Sequence, residues 1–275
     1  MKKQTGVALG YVHGFTKVEQ ERLYEQARFL ESKIFEKIDF VKQTHILEVG
    51  CGVGAQTEIL LRRFPHIKIT GVDASPKQIE TAKKHLKKDI QNKRVQLLTG
   101  DAFKLPFKKN EFDGAFVCWL LEHVQRPIEI LKEAKRTLKT GGVIYCNEVL
   151  NSTFFVHPYS PATMNYWFAF NDQQWNLKGD PFVGAKLANY LIAAKFLSVT
   201  TEVKTFHYDN RSTKQRAEFI DYWTNLLLSG APGLLKAKKI DQKTVKEMKA
   251  ELKRLKNDKD SVIFYSFVQA RAESL

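Results

Sequence analysis

The chain has 275 residues, 43% of them hydrophobic and 27% charged, and carries no Pro-, Ser- or Gln-rich tract. That excludes a mainly disordered protein and suffices for a real core, either one large α/β domain or a domain with a sizeable cap. Lys and Arg outnumber Asp and Glu 44 to 30, and the resulting charge of +14 raises a nucleic-acid or anionic-membrane reading.

The opening residues, MKKQTGVALGYVHGF, lack the continuous apolar run of a secretory leader. No apolar stretch reaches the ~20 residues of a membrane span. Cys51, Cys118 and Cys146 lie far apart with no CxxC pair, the usage of a reducing compartment. A cytoplasmic protein with no membrane span is expected. From His45 to Val149 short apolar runs alternate with helical patterns. Residues 45–49, 67–72, 94–100, 112–117 and 141–149 read as strands, with helices starting near Gln56, at Ser75-Pro76 and at Arg126-Pro127. Such alternation indicates βαβ units and a parallel sheet covered on both faces. Residues 151–182 show no clear period and many turn formers. Helical periodicity returns at 183–196, a strand-like alternation fills 198–208, two helical stretches cover 213–229 and 241–256, and 261–270 is a strong strand. One α/β domain carrying a cap is expected.

The strongest local signal is the strand-to-helix turn from Glu48 to Gly54. Its glycines at 50, 52 and 54 allow a tight turn and let the backbone approach a ligand under the positive end of the next helix. Asp73 ends the following strand, where a carboxylate is placed to accept both hydroxyls of a ribose. The spacing is G-x-G-x-G rather than the G-x-G-x-x-G of a dinucleotide site, and Glu48 stands before it. An acid behind the loop is awkward for a pyrophosphate and suits a ligand with a cationic amino group.

These residues resemble motif I of the class I S-adenosylmethionine-dependent methyltransferases, and Asp73 resembles that family's ribose-binding acid. Gly100-Asp101-Ala102-Phe103, Phe112 to His123, and Leu138-Lys-Thr-Gly141-Gly142 resemble three later motifs, with Thr140 in place of the usual Pro. The likeness covers residues 45–149 and is nearest to the branch of ubiquinone/menaquinone-type and natural-product small-molecule methyltransferases. Tyr11 to Gly14 and Gly179 to Gly184 are reminiscent of small-molecule members. The resemblance implies a Rossmann-like α/β fold: a seven-stranded, mostly parallel sheet in the order 3-2-1-4-5-7-6, its last strand antiparallel. It implies an N-terminal cap or cofactor lid (1–44), a cofactor-binding core (45–150), an aromatic substrate lid (151–182) and a completion of the core (183–275) with a helical insertion at 213–258. It also implies S-adenosyl-L-methionine as cofactor. Gly50, Cys51 and Gly52 would face its methionine moiety, with Glu48 helping directly or through the loop. Asp73 would hold the ribose, Ala74 and Gln78 would wall the adenine, and Asp101 and Ala102 would lie on its edge. Cys118 and Trp119 would pass beneath, and Tyr11, His13 and Phe15 would fold over the carboxylate. His123 is the candidate base, because a histidine titrates in a useful range. Glu148 either points into the cleft or forms a buried ion pair. No His, Asp or Glu cluster has ligand-like spacing, so no metal is expected.

Residues 151–182 hold nine aromatics, Phe154, Phe155, Tyr159, Tyr166, Trp167, Phe168, Phe170, Trp175 and Phe182, with one cation, Lys178. The resembled family builds its substrate pocket from an insert at this place, which implies a small, largely apolar or aromatic acceptor; a second core under the cap or an oligomer interface is the alternative for these rings. The basic residues lie elsewhere, in Lys-rich stretches at 76–109 and 236–259 that read as solvated faces. Methyl transfer to RNA or another anionic polymer is the alternative, against which stands Cys118-Trp-Leu-Leu where an Asn/Asp-Pro-Pro-Tyr motif would sit. A non-catalytic cofactor-binding or interaction protein is the third reading. The acceptor, its attacking atom and the oligomeric state are left open by the sequence.

Overall fold

The computed structural model describes residues 16–275. Five strands, β1 (His45–Val49), β2 (Lys68–Asp73), β3 (Val95–Thr99), β4 (Phe112–Cys118) and β5 (Leu138–Val149), pair in parallel in the order 3-2-1-4-5. Helices α2 (Ala55–Arg63), α3 (Pro76–His85), α4 (Lys87–Gln91) and α5 (Pro127–Thr137) make the crossovers. Ile46, Leu47 and Val49 of β1 and Phe112, Ala115, Phe116 and Val117 of β4 are buried in succession. Continuous apolar runs, not alternation, are what a sheet covered on both faces requires. The α3 start follows from local chemistry: Ser75 accepts a hydrogen bond from the Gln78 N–H at 3.4 Å, and Pro76 occupies the first turn, where no N–H is needed.

The chain then adds β6 (Phe155–His157), β7 (Leu197–Tyr208) and β8 (Val262–Ser274). β8 runs antiparallel to β5 along one edge and to β7 along the other. β6 pairs with residues 262–264 of β8, whose opposite edge β7 already takes, so β6 prolongs the β5 side. Its register is offset by three residues from that of β5, a step taken up by 150–154. The sheet therefore has eight strands, not seven. With β6 set aside, the order is the expected one, written 3-2-1-4-5-8-7 in chain numbering.

Two helices stand outside the sequence-based expectation. α1 (Lys17–Ile34) opens at Thr16, whose hydroxyl accepts from the Glu19 N–H at 3.2 Å, the Thr-x-x-Glu signature of a helix start. α6 (Pro161–Asn176) runs through the stretch that showed no period. Its buried side mixes Tyr166, Trp167 and Phe170 with Thr163, Asn171 and Gln174, while Phe168 and Trp175 face outward, so no apolar stripe marks it. A 3-10 turn (Val183–Lys186) leads to α7 (Leu187–Ala193), and α8 (Thr213–Lys236) and α9 (Gln242–Asn257) follow β7. The cap helices are tied together rather than hinged. Glu251 of α9 accepts the Ala162 and Thr163 N–H groups at 3.1 and 2.7 Å, seating a carboxylate at the α6 N-terminus. The Tyr166 hydroxyl donates to the Leu227 carbonyl of α8, and Trp223 of α8 stacks on Phe154 with centroids 4.7 Å apart.

Candidate active site

A cavity of about 940 Å³ opens at the carboxyl ends of β1 to β5, near the upper limit of the ~300–1,000 Å³ usual for small-molecule sites. At one end lies the glycine turn. Gly50, Gly52 and Gly54 all have φ between +50° and +78°, the region that favours glycine. A Cβ on Gly54 would come within 2.7 Å of Leu86, whereas one on Gly52 would meet nothing within 4 Å among the described residues, its backbone lining the cavity. Asp73 shapes the turn: its Oδ2 accepts the Gly52 N–H at 3.0 Å and its Oδ1 the Ser75 N–H at 2.8 Å. Burial pushes the Asp73 pKa up while those two N–H groups pull it down. Each oxygen keeps a lone pair, which fits the paired hydroxyls of a ribose. Asp101 and Ala102, after β3, line the same end, and Ala74 and Gln78 lie beside Asp73.

At the middle stand Cys118, Trp119, Glu122 and His123. Trp119 has φ +52°, a costly conformation for a bulky residue, held by its N–H bond to the Asn147 carbonyl at 2.9 Å. Its indole Nε1 is buried without a partner among the described residues. Burial pushes the Cys51 and Cys118 thiols well up, so neither is a ready thiolate. The short turn Leu121–His123 is gripped from behind by Glu148. That carboxyl accepts the N–H groups of Leu120, Leu121 and Glu122 at 3.1, 2.8 and 3.3 Å. Among the described residues Glu148 is thus neither on the cavity wall nor in an ion pair: it caps backbone donors that the turn would otherwise leave buried and unpaired. Glu122 accepts from Gln174 Nε2 at 2.6 Å, and His123 Nε2 lies 3.6 Å from its other oxygen.

The far end is aromatic. Trp167 and Phe170 of α6, Phe206 of β7, Phe219, Tyr222 and Trp223 of α8, and Tyr265 of β8 form its wall. The Tyr265 hydroxyl donates to Asn151 Oδ1 at 3.0 Å. α1 contributes Arg22, Leu23, Gln26, Ala27 and Leu30. It docks through Gln20, whose Nε2 donates to Gln78 Oε1 at 2.8 Å and whose Oε1 accepts from Thr81 at 3.1 Å.

The structure brings Gly50, Cys51, Gly52, Asp73, Ala74, Gln78, Asp101, Ala102, Cys118, Trp119 and His123 to one cavity. Glu48 is not on its surface. It is buried behind the turn, bonded by the Thr57 hydroxyl at 2.5 Å, so any effect on a ligand runs through the loop. Tyr11, His13 and Phe15 lie outside the described residues. The lid expectation needs correction: of its nine aromatics only Trp167 and Phe170 line the cavity. Phe154 and Tyr166 are core, Phe168 and Trp175 are exposed because one face of α6 cannot present every ring inward, and Phe155, Tyr159 and Phe182, outside that helix, are exposed too. Glu122, Gln174 and the α8 and β8 aromatics escaped the sequence reading; only the Thr16-x-x-Glu19 start of α1 left a local signal.

Comparison with known proteins matches residues 47–146 to a methyltransferase domain family. An uncharacterized methyltransferase of Schizosaccharomyces pombe is 28% identical over 189 residues, 65% of this chain and 66% of that protein. Demethylmenaquinone methyltransferase of Staphylococcus saprophyticus is 34% identical over 131 residues, 47% of this chain and 55% of that one. The chain therefore spans somewhat over half the length of these relatives. Among solved structures, the cyclase SpnF shares the fold at 19% identity and a TM-score of 0.54, over 99% of this chain and 89% of its own.

Proposed function

We propose that this chain, which belongs to the class I S-adenosylmethionine-dependent methyltransferases, methylates a small, largely apolar or aromatic molecule. The observation that carries the reading is one continuous cavity, with Asp73 and Asp101 at one end, aromatic rings at the other and Cys118 to His123 between them. The bared Gly52 backbone and the two remaining Asp73 lone pairs fit the cofactor. When bound, S-adenosylmethionine supplies an already activated methyl group, which leaves the protein to position, to exclude water and to accept a proton. In this reading Gly50 to Gly52 hold the methionine portion by backbone contacts, Asp73 holds the ribose, Ala74 and Gln78 wall the adenine, and Asp101 and Ala102 meet its edge. Trp119 keeps the methyl region dry, the aromatic wall holds the acceptor, and His123 Nε2 takes a proton that the acceptor releases. A relative named for demethylmenaquinone is in keeping with an acceptor of that apolar kind.

Calorimetry with S-adenosylhomocysteine tests the donor end. Asp73→Ala is expected to weaken binding by about a hundredfold, the loss of two charge-assisted hydrogen bonds. Undiminished affinity would refute the assignment. Transfer of labelled methyl to a panel of apolar aromatic acceptors tests the rest. Tight cofactor binding with no acceptor turned over would favour the non-catalytic reading.

A further inference from the structure

Glu122 is an acid on the cavity wall held through both its backbone and its side chain. The Glu148 carboxyl holds its N–H at 3.3 Å, the Asp180 N–H holds its carbonyl at 2.8 Å, and Gln174 Nε2 holds its carboxylate at 2.6 Å. The 179–184 loop presses on this region through glycines. A Cβ at Gly179 would lie 2.5 Å from the Glu122 carbonyl, and one at Gly184 would lie 2.7 Å from the Val149 carbonyl. Those two glycines are therefore what lets the loop close against the turn. His123 Nε2 lies 3.6 Å from Glu122 Oε1, outside hydrogen-bond distance. Gln174 is 3% exposed, and its Oε1 is buried with no donor. Carboxylate and amide oxygens are acceptors, and both residues face the cavity beside Trp167, Phe170 and Tyr265. Gln174 Nε2 fixes the Glu122 carboxyl at the cavity wall, so Glu122 is the group of the pair that meets what fills that space.

Resting on the methyltransferase reading, we propose that Glu122 and Gln174 form a recognition subsite for a hydrogen-bond donor on the acceptor molecule. The donor is an O–H or N–H at the edge of an apolar aromatic body. Tyr265 and Trp167 hold the ring, and the Glu122–Gln174 pair sets which edge of it points toward the donor end. Rejecting a molecule without the donor is the stronger half of such selection, because that molecule covers the Glu122 carboxyl without giving it a hydrogen bond.

Naphthol, naphthylamine and methoxynaphthalene share a ring system and differ in the donor. Their binding is measured by calorimetry on the full chain, with and without S-adenosylhomocysteine, so the readout needs no methyl transfer. The wild type is expected to bind naphthol, naphthylamine or both about tenfold more tightly than methoxynaphthalene, and the comparison of the two shows whether O–H or N–H is meant. Glu122→Gln, checked for folding by thermal unfolding, is expected to narrow the preference to within about threefold. Gln174→Ala is expected to reduce it by about threefold, and serves alone if Glu122→Gln does not fold. Equal affinity for all three probes in the wild type, or an intact preference in the variants, overturns the proposal. Failure of S-adenosylhomocysteine to bind would instead strike the methyltransferase reading, leaving the probe series legible on its own.

Discussion

Glu48 stands two residues before the first glycine of the turn with its carboxyl fully buried, its oxygen bonded by Thr57. Burial, with a smaller push from the charge of Asp73, raises its pKa to about 8 against the pull of the Thr57 hydroxyl. A glutamate in the unfolded chain titrates near ~4.3. Between those values the folded protein keeps a proton that the unfolded chain gives up, so stability falls as pH rises. The Glu48 contribution is complete below about pH 4.5 and is lost as the pH climbs through about 8. Glu48→Gln, which imitates the protonated acid, is expected to flatten this slope in urea unfolding between about pH 5 and pH 8. Parallel slopes in the two proteins would mean that the carboxyl is ionised in the fold. Asp73, Asp101 and the glycines were legible in the sequence because each sits within a few residues of a strand end, the glycines in a left-handed conformation that few other residue types adopt. Trp223, Tyr265 and Gln174 were not, because each reaches the cavity through packing that no short window encodes.

Among the elements, α1 is held to the donor end by a small polar knot. Gln20 is buried, and its amide is shared between Gln78 and Thr81 of α3. Gln20→Ala leaves those two partners unsatisfied, at an expected cost of about 2 kcal/mol in unfolding free energy. The same change frees the helix that walls the cavity, so S-adenosylhomocysteine affinity is expected to drop by about threefold or more. A variant with unchanged denaturant midpoint and unchanged affinity would show that α1 is held by its apolar contacts alone. The βαβ elements could be read because each carries a continuous apolar run closed by Gly, Ser-Pro or Arg-Pro. α6 could not, since its buried side carries Thr163, Asn171 and Gln174, polar residues whose placement makes sense only once Glu251, Asn151 and Glu122 are beside them.

Over the whole molecule the charge of +14 divides from the chemistry. Lys77, Lys83, Lys84, Lys87 and Lys88 of α3 and α4, and Lys243, Lys246, Lys249 and Lys253 of α9, are exposed. The one Lys or Arg on the cavity wall among the described residues is Arg22, and Glu19 binds its guanidinium at 2.7 and 2.6 Å. A single-stranded RNA oligomer is therefore expected to bind weakly near 50 mM salt and to lose that binding near 150 mM, as simple counterion release predicts. Saturable binding at the higher salt, read by fluorescence anisotropy, would restore the polymer-methylating alternative. The three-residue step between β5 and β6 bears on how such a chain can diverge. Residues 150–154 hang between two segments paired to the same edge of β8, so an insertion or deletion there shifts Asn151 and the acceptor wall while both strand pairings stay in register. On the proposed reading, a change in the length of this one short loop would alter the aromatic wall and leave Gly50, Gly52 and Asp73 untouched.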